Sequence, residues 1–257
     1  YEGQPTVDLE RADRPQMRLY LEGRGETRFG NGTRLPTFPV TIFGPTTTPI
    51  ATSIPSHAIV FGWGITPIGW DALMGPRAAE FVDLCVDARD ILGESIMNLR
   101  ESLKQAESVE ERFKIAQAAA GEIHYNCRQV AFDFTAKVDE WLNSCADPHV
   151  ETLSEMTGLS CRQLARTTRH YYGMPPKKLA RKYRALRVAN LIANGIPHDD
   201  SDLNLIFYDQ SHMIREVKRF TGLTPKQLRS GQSILTNATM KGRHKLTGQV
   251  ASLISES

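Results

Sequence analysis

Met17, Leu19 and Leu21 alternate with Arg18 and Tyr20, and Ile59, Phe61 and Trp63 alternate with Val60 and Gly62. A period of two places each set on one face of a strand. The turn-forming stretches GRGE, GNG and FGPTTTP around them predict short strands in a small β-barrel or sandwich of the cupin-like kind. From Pro67 onward the period lengthens. Ile96, Leu99 and Leu103 mark a helix over 94–105, and Val109, Phe113 and Ala116 mark another over 109–123. Stripes of this kind pack on their own domain, with contact to a second copy of the chain as the other reading. Over 128–144, Val130, Phe134, Val138, Trp141 and Leu142 fall at helical spacing and point inward. The predicted class is α+β. A β-rich sensor or dimerisation domain fills 1–125, an all-α domain fills 126–232, and 233–257 is a C-terminal tail.

Within the helical part the chain repeats itself. LSCRQLARTTRHYYGMPPKKL at 159–179 lies over YDQSHMIREVKRFTGLTPKQL at 208–228, an offset of 49 residues. Arg166 falls on Arg215, Arg169 on Lys218, Gly173 on Gly222, Pro176 on Pro225 and Lys177 on Lys226. A repeat of this size is one supersecondary unit used twice. Ser160 and Asp209 suit helix N-caps, the glycines suit left-handed stops, and the prolines suit the first turn of a following helix. Leu164 and Thr168, like Met213 and Val217, form an inward i, i+4 pair. Arg162, Arg166 and Arg169 stack on another face as a basic strip.

Charge is divided unevenly between the two parts. Residues 1–125 carry 12 Lys and Arg against 17 Asp and Glu, whereas 126–257 carry 19 against 12. From 157 to 196 there are nine basic residues and no acidic one. A basic stripe on one domain is the electrostatic footprint of phosphate binding. No run of about 18 apolar residues is present, so a membrane span is not expected.

Enzyme chemistry finds little support. Residues 1–123 hold one histidine, His57, and contain no G-x-S-x-G elbow, P-loop or helix-opening G-x-G-x-x-G, so neither catalytic residues, metal ligands nor a cofactor are expected. The four cysteines, 85, 127, 145 and 161, form no C-x-x-C pair and read as reduced thiols of a cytoplasmic protein. Cys85, in DLCVD, lies between two acids that would raise its pKa. His198, Asp199 and Asp200 read as a solvated loop rather than a metal site.

The stretch FYDQSHMIREVKRFTGLTPKQLR at 207–229 closely resembles the signature of the AraC/XylS family of bacterial transcription regulators, and 150–195 resembles that family's first helix-turn-helix. The resemblance implies a seven-helix DNA-binding domain with two helix-turn-helix units joined by a linker helix, here 175–193. It also implies an N-terminal sensor that often dimerises. Over 43–47 and 70–75, FGPTT and WDALMG are loosely similar to one sensor type. By the same resemblance Arg162, Ala165 and Arg166 face bases in the first unit, and Gln210, Ser211, Ile214 and Arg215 do so in the second. Gln163, Arg169 and Lys218 complete the candidate DNA-facing set. Arg suits guanine O6 and N7, and Gln suits adenine N6 and N7. Lys177, Lys178, Lys182 and Lys226 read as phosphate contacts or solvated helix ends.

At one position the chain departs from the family. Ile206 stands where a glycine usually precedes the aromatic, and the short stretch 200–205 is acidic, so the second unit is expected to grip DNA less firmly. The expected function is a sequence-specific transcription regulator acting on a double-stranded operator, with RNA polymerase as a partner. A small apolar or aromatic effector is expected near Phe61, Trp63 and Trp70, and a homodimer is possible. The alternatives are non-specific DNA binding, or protein contact alone, through a degraded second unit.

Overall fold

The computed structural model describes residues 5–75, 78–124, 129–145, 147–196, 207 and 209–250. Among the described residues, eight strands form two four-stranded antiparallel sheets. One has the order β1(Thr6–Glu10), β6(Ile50–Ile54), β3(Glu26–Arg28), β4(Arg34–Pro36). The other has the order β7(Ile59–Gly64), β2(Gln16–Glu22), β5(Val40–Phe43), β8(Cys85–Asp87). The sheets stack as a sandwich and do not close into a barrel. Arg18 of β2 joins them by its ion pair with Glu10 of β1, whose carboxylate also accepts from Thr52 of β6 at 2.5 Å.

The alternating apolar residues of β2 lie where their period predicts, with Met17, Leu19 and Leu21 all buried. They pack with Val40 and Ile42 of β5, with Trp70 of α1(Pro67–Met74) and with Ile96 and Leu103 of α3(Ser95–Gln105). β7, an edge strand, is wetter: Ile59 and Val60 are exposed, and Phe61 and Trp63 are half-buried. The short helix α2(Arg89–Leu92) precedes α3, and α4(Val109–His124) follows it. Phe113 of α4 is largely exposed, with its ring edge-on to Phe61 at 5.5 Å.

Among the described residues the second part is built of helices, with one isolated β-bridge between Thr247 and Val250. α5(Gln129–Ser144), α6(Val150–Thr157) and α7(Cys161–Tyr172) share a core of Phe134, Val138, Trp141, Leu142, Leu153 and Leu164. Trp141 is fully buried, and its indole N–H donates to the His149 carbonyl at 2.7 Å, so burying the ring strands no polar group. The long helix α8(Pro176–Ala193) leads to a second core, where Val188 and Ile192 meet Phe207 and also Met213 and Val217 of α9(Gln210–Thr221). α10(Pro225–Arg229) and α11(Ile234–His244) complete the described chain. Ile206 and the acidic stretch 200–205, on which a weakened second unit was expected, lie outside the described residues, as do Cys127, the 198–200 loop and the start of the helix expected over 128–144.

Two expectations change. The stretch from 233, expected to be a tail, begins with α11, which is docked on β1. Ser233 and Thr236 donate to the Leu9 carbonyl at 2.6 and 2.8 Å, Met240 is fully buried, and Arg243 holds Asp13 at 3.0 and 2.6 Å. Lys182, expected at phosphates or at a solvated helix end, is 3% exposed. Its ammonium donates to the Asp13 and Thr46 carbonyls at 2.6 and 2.8 Å, at the contact between sandwich and helices. Helical periodicity sets which face of α8 the residue lies on. It does not reveal that another domain covers that face.

Candidate nucleic-acid interface

The two helices of the repeat, α7 and α9, are built alike. Ser160 caps α7 in a reciprocal box with Gln163, whose side-chain oxygen accepts from the Ser160 backbone N–H at 2.9 Å. Asp209 caps α9, accepting from the His212 N–H at 2.6 Å. Such caps satisfy first-turn amides and contribute about 1 kcal/mol each. Both helices stop at a left-handed glycine, Gly173 and Gly222, with φ of 76° in each. In α7 the buried side chains are Leu164, Thr168, Tyr171 and Tyr172, and in α9 they are Met213, Glu216, Val217, Phe220 and Thr221.

Burying those faces turns the sequence-predicted residues outward. On α7, Arg162, Gln163, Arg166 and Arg169 are exposed and Ala165 is half-buried between them. With Ser160 these five side chains line one surface groove of about 410 Å³. Gln163 is the qualified member, because its oxygen is committed to the cap and its NH₂ remains to donate. On α9, Gln210, Ser211, Ile214, Arg215 and Lys218 are all exposed. Lys177 is exposed and Lys178 half-buried in the first turn of α8, and Lys226 is exposed in the first turn of α10.

Each helix is held from behind, and differently. His170 of α7 lies 3.2 Å from the carboxylate of Asp71 on α1. On α9, Glu216 takes a bidentate pair from Arg181 of α8, at 3.0 and 2.7 Å. Burial raises the Glu216 carboxyl, but hydrogen bonding and charge from Arg181 outweigh that and leave it below its ordinary value. The loop between β5 and β6 reaches both units. Beside Gly173 there is no room for a side chain, since a Cβ there would come 2.6 Å from Pro45; beside Gly222 a Cβ would meet Pro49 at 3.3 Å. Between these two prolines Thr46 binds Lys182 through its carbonyl, and its hydroxyl accepts from the Asp13 N–H at 2.7 Å. Burial lowers Lys182 to about 7, against the pull of Asp13. The same burial would raise Asp13, yet Arg243, Arg11 and Arg14 hold it far below the usual carboxylate range. The loop's role was not legible in FGPTTTP, which reads as a turn.

The three aromatics proposed to meet an effector do not stand alike. Trp70 is 1% exposed and packed on Phe81 at 5.3 Å, while Phe61 and Trp63 lie edge-on at 6.4 Å on the outer strand. Cys85 is buried, and burial pushes its thiol up to about 11; the flanking acids are not the cause. Among the described residues no group of His, Cys, Asp or Glu is placed to hold a metal, and no helix is long and apolar enough to cross a membrane.

Compared with protein families, the chain matches the family described as "Helix-turn-helix domain" over residues 153–231. No curated protein matches the sequence. Among solved structures, the apo form of a ToxT variant from Vibrio cholerae aligns at 13% identity and a TM-score of 0.49, covering 89% of this chain and 94% of that one. ToxT from strain O395 aligns at 12% and 0.46, covering 88% and 97%. Wild-type ToxT bound to an unsaturated fatty acid aligns at 12% and 0.46, covering 88% and 95%. With α6 and α7 on one side of α8 and α9 on the other, residues 153–231 are a helix-turn-helix domain of the AraC type.

Proposed function

We propose that this protein is a sequence-specific DNA-binding transcription regulator whose helices α7 and α9 enter two successive major-groove segments on one side of a duplex. The observation that carries this reading is the pair of outward faces. Arg162, Arg166 and Arg169 on α7, and Arg215 and Lys218 on α9, are all exposed on capped helices whose opposite faces are buried. Helix α8 separates them with 18 residues, roughly 27 Å at ~1.5 Å per residue, near the ~34 Å between successive major-groove faces. Exposed lysines in the first turns of α8 and α10 suit phosphates, which carry no sequence information but fix register.

The sandwich fits the part of a regulatory support, because its β5–β6 loop touches the glycine stop of both units. A small apolar effector meeting the edge-strand aromatics Phe61 and Trp63, RNA polymerase as the downstream partner, and a second copy of the chain belong to the same reading. Action on chromosomal DNA would place it in the cytoplasm.

The test is enrichment of duplexes from a random library by the full chain, followed by titration in rising salt. The expected result is a site with two determinant segments about one helical turn apart, bound about a thousandfold or more tightly than random duplex. Equal binding to selected and random duplexes would refute sequence-specific reading.

A further inference from the structure

The two outward faces have an apolar residue at the same place, and the two residues differ in size. Ala165 of α7 and Ile214 of α9 are equivalent under the 49-residue offset. Ala165 is half-buried among arginines. Ile214 is 36% exposed, and among the described residues of 153–231 it is the one large apolar side chain that is exposed. It takes no part in the buried face of α9, made by Met213, Val217 and Phe220. One turn away on either side are Gln210 and Lys218, and Arg215 is adjacent; all three are polar and exposed.

An aliphatic side chain at the centre of a polar face leaves apolar surface in water until something apolar covers it. The base edges displayed in the major groove offer one such group, the C5 methyl of thymine. Ile is also stiff: in a helix it holds essentially one χ1 rotamer, so the contact is made with little loss of side-chain freedom. We propose that Ile214 reads a thymine methyl and that thymine is a determinant of the segment facing α9. The segment facing α7, opposite three arginines and only an alanine methyl, is determined chiefly by guanine. This rests on the reading that the protein binds DNA through both helices.

The experiment uses the duplex enriched by the full chain, with each thymine replaced singly by deoxyuridine, which removes the methyl and leaves the pairing edge unchanged. For the wild type, one thymine in the α9 segment should respond with about a fourfold loss, the factor that burying one such group is worth. Ile214→Ala should bind the thymine duplex more weakly and should no longer distinguish it from the deoxyuridine duplex. Ile214→Val, which retains the branch, should keep a reduced preference. Because the residue is exposed, the alanine variant should melt with the wild type, which separates lost reading from lost folding. The proposal is overturned if no thymine responds, or if Ile214→Ala keeps the full preference. Failure to enrich any duplex would instead overturn the DNA-binding reading on which it rests.

Discussion

Helices α7 and α9 begin at a side-chain cap, run 12 residues each and end at a glycine with the same φ of 76°. Their surroundings differ at almost every other point. α7 is docked on the N-terminal part, through His170 and Asp71 of α1 and through the close approach of Pro45 of the β5–β6 loop and of Val82 to Gly173. α9 is docked mainly on the linker helix, through Arg181 and Glu216, and touches the sandwich more loosely, at the Ala12 N–H to Phe220 carbonyl bond of 2.7 Å and at Pro49. The outward faces differ as well, with three arginines around an alanine on α7 and a mixed set around an isoleucine on α9. A duplicated backbone unit can therefore keep its caps and stops while its two copies diverge in what they face and what steadies them.

The largest expected difference lies at the glycine stops. Gly173→Ala and Gly222→Ala both force a side chain into the left-handed region, at about 1 kcal/mol. At Gly173 the new Cβ would also lie 2.6 Å from Pro45 and 2.8 Å from Val82, whereas at Gly222 the contacts are 3.3 Å. Overpacking of the first kind costs a further ~1–3 kcal/mol. Gly173→Ala should thus lose about 2–4 kcal/mol in denaturant titration and Gly222→Ala about 1–2 kcal/mol. Equal losses would mean that the β5–β6 loop yields and does not clamp the first unit.

Lys182 sits between the two units and tests whether the sandwich braces them as one body. Lys182→Met removes the lysine donor from the Thr46 carbonyl and leaves the Asp13 carbonyl with the Thr46 N–H alone, at about 1–3 kcal/mol. The lysine's folded pKa of about 7 lies below its ordinary 10.5. Between those values the unfolded chain binds the proton and the folded chain does not, so stability from this group rises with pH. It is greatest above the unfolded value and is lost as pH falls through about 7. The stability gap between wild type and Lys182→Met should therefore widen from pH 7 toward pH 10. Burial also lowers the neighbouring Arg11 guanidinium to about 9, inside that window, in wild type and variant alike, while Asp13 is held ionised throughout it, so the gap between the two proteins isolates the lysine. Thermal melts with a pH-independent gap would remove Lys182 as the titrating group.

How much of this was legible in the sequence depends on range. Caps, glycine stops and the inward pairs Leu164/Thr168 and Met213/Val217 are local, set within one or two helical turns, and the structure places them as the 49-residue repeat predicts. The outward placement of the residues expected to face bases follows from them, since naming the buried face of a helix names the other. Lys182, Asp13 and Arg243 were not legible, because their partners lie 136 to 230 residues away. α11 was missed for a related reason. Thr236 and Met240 form a weak stripe on their own and become a buried face only against β1.

The base-reading comparison comes next in size. Arg166→Ala should cost about 1–3 kcal/mol on the enriched duplex and much less on random DNA. Arg215→Ala should cost less than Arg166→Ala on the same duplex, since Arg215 stands beside Ile214 and Lys218 while Arg166 stands among two further arginines. A titration in which Arg215→Ala is the more damaging change would reverse the ranking of the two units.

The smallest effects are expected where the copies are chemically identical. Pro176–Lys177 opens α8 and Pro225–Lys226 opens α10, both lysines are exposed, and neither first turn carries an acidic residue. A cation at the positive end of a helix dipole is locally unfavourable, and an anion bound there reverses the sign for both. Phosphates are the anions a duplex supplies at that place. Lys177→Ala and Lys226→Ala should therefore weaken enriched and random duplexes by the same modest factor, and each should lower the slope of log affinity against log salt by about one. Equal slopes lost from the two variants would place both units on the phosphate backbone in the same pose, whatever their base preferences. A slope lost from Lys177→Ala alone would mean that α9 and α10 stand off the duplex, and the divergence between the copies would then extend from reading to binding itself.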